Sequence, residues 1–146
     1  MPLTISQNIT EIKKISHDLS AMETRRKIAL QNAEIGIWEW NIITNKVWWD
    51  ETMFHIFGLD KNTFIPTYQS FSKLIHPDDI KHIDIMSTEA KYHIGSSRYT
   101  TSFRIRRNNE WCWVLVIGKK IYNNMGEIVK IIGTNQIIEK NIRLSD

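Results

Sequence analysis

The sequence predicts an α+β fold: a five-stranded antiparallel sheet with helices on one face, preceded by an amphipathic helix. Apolar residues recur every three or four positions as far as Met22. The period changes to two at Gly36 and again at Tyr99, and the stretch between those strand regions carries helix capping signals. At 146 residues, 42% of them apolar, the chain fits one domain with a real core, and each of its six tryptophans can bury about 150–250 Å².

Residues 1–32 are assigned to the leading helix, 33–140 to the domain, and 141–146 to a tail toward a possible output domain. The tail ends abruptly just past the last strand, which suggests an excised piece. In the leading helix Ile5, Ile9, Ile12, Ile15, Leu19 and Met22 draw one narrow stripe, with polar residues such as Glu11, Lys13 and Asp18 between them. Such a stripe is either the seam of a two-chain coiled coil, which makes the protein a homodimer, or the face of a helix folded back on its own domain. A second short helical phase, from Ile28 to Ala33, follows Arg25-Arg26-Lys27.

Gly36 to Ile42 and Val47 to Trp49 read as a hairpin turning at Thr44-Asn45-Lys46, with Trp38 and Trp40 on one face. Asp50 caps a short helix whose apolar face is Met53, Phe54, Ile56 and Phe57 and which Gly58 stops. A loop from Asp60 to Gln69 and an apolar turn from Phe71 to Ile75 follow. His76-Pro77-Asp78-Asp79 then opens the longest helix of the domain, with proline in the first turn and acids at the positive end of the dipole, running to about His93. Tyr99, Thr101, Phe103 and Ile105 alternate with polar residues as a half-exposed strand. Asn108-Asn109 turns into Trp111 to Tyr122, apolar on both faces and therefore central, and the turn 123–126 leads to a last strand from Glu127 to Ile138.

Several function classes lose support at this level. The net charge of +3 is spread along the chain, and the densest basic runs, Arg25-Arg26-Lys27 and 104–107, are too short for a nucleic-acid stripe, so no nucleic-acid partner is expected. The single cysteine, Cys112, cannot form an internal disulfide and fits a reducing cytoplasm. No run approaches the roughly 18 apolar residues of a membrane span, so no direct membrane contact is expected. The pattern H-x-D-D-x-x-H of His76, Asp78, Asp79 and His82 could ligate a metal only if its side chains converged. Neighbouring positions on a helix diverge by about 100°, so capping is the better reading and no metal site is assigned. No nucleophile with a base, no facing carboxylate pair and no phosphate loop is laid out, so the chain is not read as an enzyme.

The run Gly36-Ile37-Trp38-Glu39-Trp40-Asn41, then Thr44, Trp48-Trp49, Ile56-Phe57-Gly58, 75–79, Phe103-Arg104, 110–113, Gly126 and Gly133-Thr134-Asn135-Gln136 resembles the PAS domain family, in order and spacing from about Glu34 to Lys140. Within it the likeness is to the sensory-box subgroup of bacterial sensor kinases and cyclic-dinucleotide enzymes. The resemblance implies a sensory, dimerising module that binds a small ligand, a cofactor or nothing, and signals through flanking helices to an output kinase or cyclic-dinucleotide domain.

Some relatives hold haem through an imidazole in the helical region, which points to His82 or His93, but the large rings here fill the cavity that haem needs. The photosensing branch attaches flavin through a cysteine in an Asn-Cys-Arg-Phe run that is absent here, and Cys112 lies on a strand between two tryptophans. No cofactor is therefore expected. Many relatives end the last strand with Asp-Ile-Thr, and here Ile137-Ile138-Glu139 takes its place. Without that acid a signal is expected to leave by the leading helix. Between sheet and helices, Trp40, Phe103, Ile105, Trp113 and Leu115 of the strands face Phe54, Phe57, Leu74 and Ile83, and enclose either a filled core or a pocket for a small organic ligand. The expected function is a PAS input module, with a ligand-free interaction and dimerisation module as the alternative.

Overall fold

A computed structural model describes residues 2–92 and 96–138. The chain divides into two compact units, residues 1–33 and 34–146. The first is one helix, α1 (Ile5–Asn32), of 28 residues, about 42 Å long. Thr4 and Gln7 start it with a capping box: Gln7 N–H donates to Thr4 Oγ1 at 3.1 Å and Thr4 N–H to Gln7 Oε1 at 2.8 Å. The helix passes through Arg25-Arg26-Lys27 without a break, because no glycine or proline interrupts it. None of its residues is buried, and the stripe from Ile5 to Met22 is exposed throughout.

The second unit contains β1 (Ile35–Asn41), β2 (Lys46–Trp49), α2 (Glu51–Phe57), α3 (Tyr68–Ser72), α4 (Pro77–Lys91), β3 (Arg98–Arg107), β4 (Glu110–Tyr122) and β5 (Ile128–Ile138). All strand pairs are antiparallel in the order β2-β1-β5-β4-β3, so the hairpin and the three-strand meander join through β1 and β5. The β3–β4 turn uses Asn108 and Asn109, both at positive φ (49° and 64°), the tight-hairpin geometry that asparagine tolerates. Asp50 caps α2 by accepting from Met53 N–H at 2.9 Å, and Gly58 ends it at φ 65°.

The segment read as a loop and apolar turn contains the short helix α3, started by a Thr67–Ser70 capping box. Serine at that third position is a weak sequence signal beside Glu or Gln. The expected end of α4 at His93, the residues Gly95 and Glu139, and the tail 141–146 lie outside the described residues.

A main core of Trp49, Met53, Ile56, Phe57, Ile75, Ile83, Phe103, Ile105, Val114 and Val116 lies between the sheet and the helices α2–α4. The free edge of β3 is partly covered. His76 N–H donates to Arg104 C=O at 2.9 Å and Arg106 N–H to Leu74 C=O at 2.8 Å, which ties the start of α4 to the sheet.

Candidate functional site

The strand registers fix which side chains face α2–α4. Across four strands one row runs Tyr99, Gly118, Gly133, Trp38, and the next runs Thr101, Val116, Asn135, Gly36. The two central glycines of the first row serve close approach. The phenol ring of Tyr99 lies where a Cβ on Gly118 would stand, and the indole of Trp38 does the same at Gly133. Two rings thus cover the middle of the sheet. Gly36 is packed from above, since a Cβ there would stand 2.7 Å from Met53 Sδ.

Over this floor remains a cavity of about 100 Å³. Its walls include Trp38, Trp40, Val47 and Trp49 from the hairpin, Met53 from α2, and Tyr68 and Phe71 from α3. Ile83, Met86 and Ser87 from α4, and Tyr99, Thr101, Phe103, Val116 and Asn135 from the meander, complete it together with Thr67. Trp40 stacks on Tyr68 with ring centroids 6.4 Å apart, and Trp49 stacks on Phe57 at 4.7 Å.

Polar groups in the walls are mostly engaged. Trp38 Nε1–H donates to Asn135 Oδ1 at 2.8 Å, Thr67 Oγ1 bonds Ser70, and His82 Nε2 and Thr101 Oγ1 are 3.0 Å apart. The Tyr68 hydroxyl donates to Asp84, and burial together with this carboxylate pushes the phenol up to about 12. Burial alone pushes the Tyr99 phenol up to about 12, so it stays a neutral hydroxyl across the physiological range.

Of the residues expected around a pocket, Trp40, Ile83 and Phe103 line the cavity. Phe57 and Ile105 are buried in the packed core, and Phe54 and Leu74 pack against its flank. Trp113 and Leu115 are a correction. They lie on the opposite face of the sheet, in register with Arg104 and Ser102, and the Arg104 guanidinium carbon stands 5.0 Å from the Trp113 ring centroid. A strand apolar on both faces does not reveal its phase, and a slip of one residue exchanges the two sets.

Tyr99 and Thr101 share the alternation of Phe103, and Trp38 shares a face with Trp40, so periodicity could have named all three. Asn135 gives no such signal: a polar residue 2% exposed in an apolar strand becomes meaningful only once its partner is known.

The residues of the H-x-D-D-x-x-H pattern go to separate partners. His76 caps α4, accepting from Asp78 N–H through Nδ1 at 3.1 Å, and its ring lies 4.6 Å from that of Trp111. Asp79 accepts from Arg104 Nε at 3.0 Å, from Nη2 at 3.0 Å and from its backbone N–H at 2.9 Å. Burial alone would raise the Asp79 carboxyl, but these bonds and the Arg104 charge hold it below the usual carboxylate value. Among the described residues no three His, Cys, Asp or Glu side chains converge. Cys112 is half-buried against the core on the inner face of β4, and His93 lies outside the described residues.

The sequence profile of the PAS fold matches residues 46–135, more than half of the chain, and the chain belongs to that family. The probable diguanylate cyclase DgcE of Escherichia coli (strain K12) is 23% identical over 129 residues; the match covers 88% of this chain and only 11% of that protein. A sensory box histidine kinase/response regulator from Burkholderia thailandensis E264 shares the fold at a TM-score of 0.61 and 21% identity, over 78% of this chain and 84% of the other. The N-terminal domain of a diguanylate cyclase with a PAS/PAC sensor from Marinobacter aquaeolei does so at 0.61 and 12%, over 70% and 94%. The chain is thus similar to sensory domains of signalling proteins. No helix among the described residues is long and apolar enough to cross a membrane.

Proposed function

We propose that this chain is the sensory input module of a bacterial signalling protein of the histidine kinase or cyclic-dinucleotide type. It takes a small molecule into the cavity between sheet and helices and pairs with a second copy through α1. The change in packing passes to an output domain of the parent protein, with no catalytic step of its own. The observation that carries this reading is the cavity: an aromatic space whose floor is cleared by two glycines and which contains a buried amide. A domain selected only for stability gains from filling such a space.

A ligand biases the module only as far as its affinity differs between two packings of the helices on the sheet. The exposed stripe of α1 supports dimerisation through that helix, and Ile137-Ile138 in place of the usual acid supports α1 as the route of signal. The lone Cys112 supports a cytoplasmic setting. The relatives in kinase and cyclase proteins support the type of output domain.

A ligand-free interaction module is the second reading. What favours it is the sheet face turned away from α2–α4, where Trp48, Trp111, Trp113, Leu115 and Ile117 remain partly exposed. Native mass spectrometry of protein isolated without denaturation separates the two. A retained small molecule, lost on unfolding, is the result expected of the sensor, and an apo mass is that of the interaction module.

A further inference from the structure

We infer that the cavity takes a small neutral molecule built on a single flat ring and carrying one hydrogen-bond acceptor at its edge, of which an aryl ketone is the simplest case. The inference rests on reading the cavity as a ligand site. Size, shape, charge and hydrogen-bond polarity each contribute.

A space of about 100 Å³ is of the scale that takes a single ring, since an apolar cavity of about 150 Å³ takes benzene. Drug-sized molecules occupy pockets of about 300 Å³ or more. The flat indole of Trp38 and phenol of Tyr99 on the floor, with Phe71 and Phe103 in the walls, offer ring faces and edges to an aromatic guest.

Charge is selected against. None of the described lining residues is a Lys, Arg, His, Asp or Glu, so an ion entering this space loses its hydration and gains no counter-charge.

The hydrogen-bond polarity follows from Asn135. An indole N–H only donates, so the atom of Asn135 that meets Trp38 Nε1 is the carbonyl oxygen, and the amide orientation is thereby fixed. The NH₂ end remains, and among the described residues no acceptor engages it or the Tyr99 hydroxyl. Asn135 is 2% exposed and, like Tyr99, lines the cavity, which leaves its NH₂ group little water outside that space. A guest that supplies an acceptor satisfies them; a hydrocarbon of the same shape leaves them unpaired.

Calorimetric titration of the 146-residue chain with acetophenone, α-methylstyrene and benzoate tests this. The first two differ only in C=O against C=CH₂. Acetophenone should bind saturably, α-methylstyrene about tenfold more weakly, the worth of one net hydrogen bond, and benzoate not at all. The ratio of the two neutral affinities should fall toward one in Asn135→Leu. It should fall in part in Tyr99→Phe, which removes one hydroxyl and keeps the test in hand if the first variant does not fold. Equal wild-type affinities, or benzoate bound as well as acetophenone, overturn the inferred ligand class and leave the cavity as a ligand site. If none of the three binds, the class also falls. A small molecule retained in the native mass then preserves the site, and an apo mass removes both.

Discussion

Trp38 donates its indole N–H to Asn135 Oδ1 at 2.8 Å, linking positions 97 residues apart on adjacent strands. The bond orients the amide and holds the Trp38 ring down on Gly133. In Trp38→Phe the ring stays apolar while Asn135 Oδ1 loses its donor. The expected loss is about 1–3 kcal/mol in urea unfolding, the cost of a buried polar group left unpaired. The further change Asn135→Val should recover part of it, and a loss in the double variant equal to the sum of the two single losses argues against coupling.

Asp79 and Arg104 join the start of α4 to β3, and this pair has a pH signature. The folded carboxyl sits below its unfolded value of about 3.9, so its contribution is present above that pH and is lost as pH falls through the folded value. Asp79→Asn should be less stable at neutral pH by about 1–3 kcal/mol. It should also lose less stability on acidification below about pH 4. An acid limb of unchanged slope contradicts the assignment.

Tyr99 behaves in the opposite sense. Its phenol is raised from 10.0 to about 12, so the neutral form is favoured by folding below pH 10 and that contribution disappears as pH climbs toward 12. Tyr99→Phe has no such group to ionise. Its unfolding free energy should therefore fall less steeply than wild type between those pH values in chemical denaturation, and parallel profiles would show that burial of Tyr99 is not felt.

The stripe on α1 is expected to join two copies. Ile12→Lys with Leu19→Lys places two charges in the seam, and light scattering should change from a dimer mass to a monomer mass. A dimer mass unaltered by the double substitution rules out this seam.

Much of the architecture was legible because each local signal agreed with the global one. Trp38 and Trp40 alternate correctly, Asn108-Asn109 announces its turn, and Pro77 with two acids marks the start of α4. The short helix α3 is not legible in the sequence because a serine in its capping box is ambiguous. Residues apolar on both sides do not reveal the phase of β4, so the sequence alone turns Trp113 and Leu115 inward. Gly118 was the clue: an inward glycine under Tyr99 fixes the phase, but only once the register of β3 and β4 is known. The cavity floor was hidden for the same reason, since two glycines read as weak strand positions until their cross-strand rings are placed.

The proposed sensor requires the space over Gly118 and Gly133 to be kept open for a ligand. Val116→Phe tests it directly by placing a ring where the guest would lie, read by thermal melting beside native mass spectrometry. A melting temperature held or raised, together with loss of the bound small molecule that the wild-type chain retains, is the outcome expected of a ligand site. A variant that carries the same bound mass as the wild-type chain, or a wild-type chain that carries none, contradicts it.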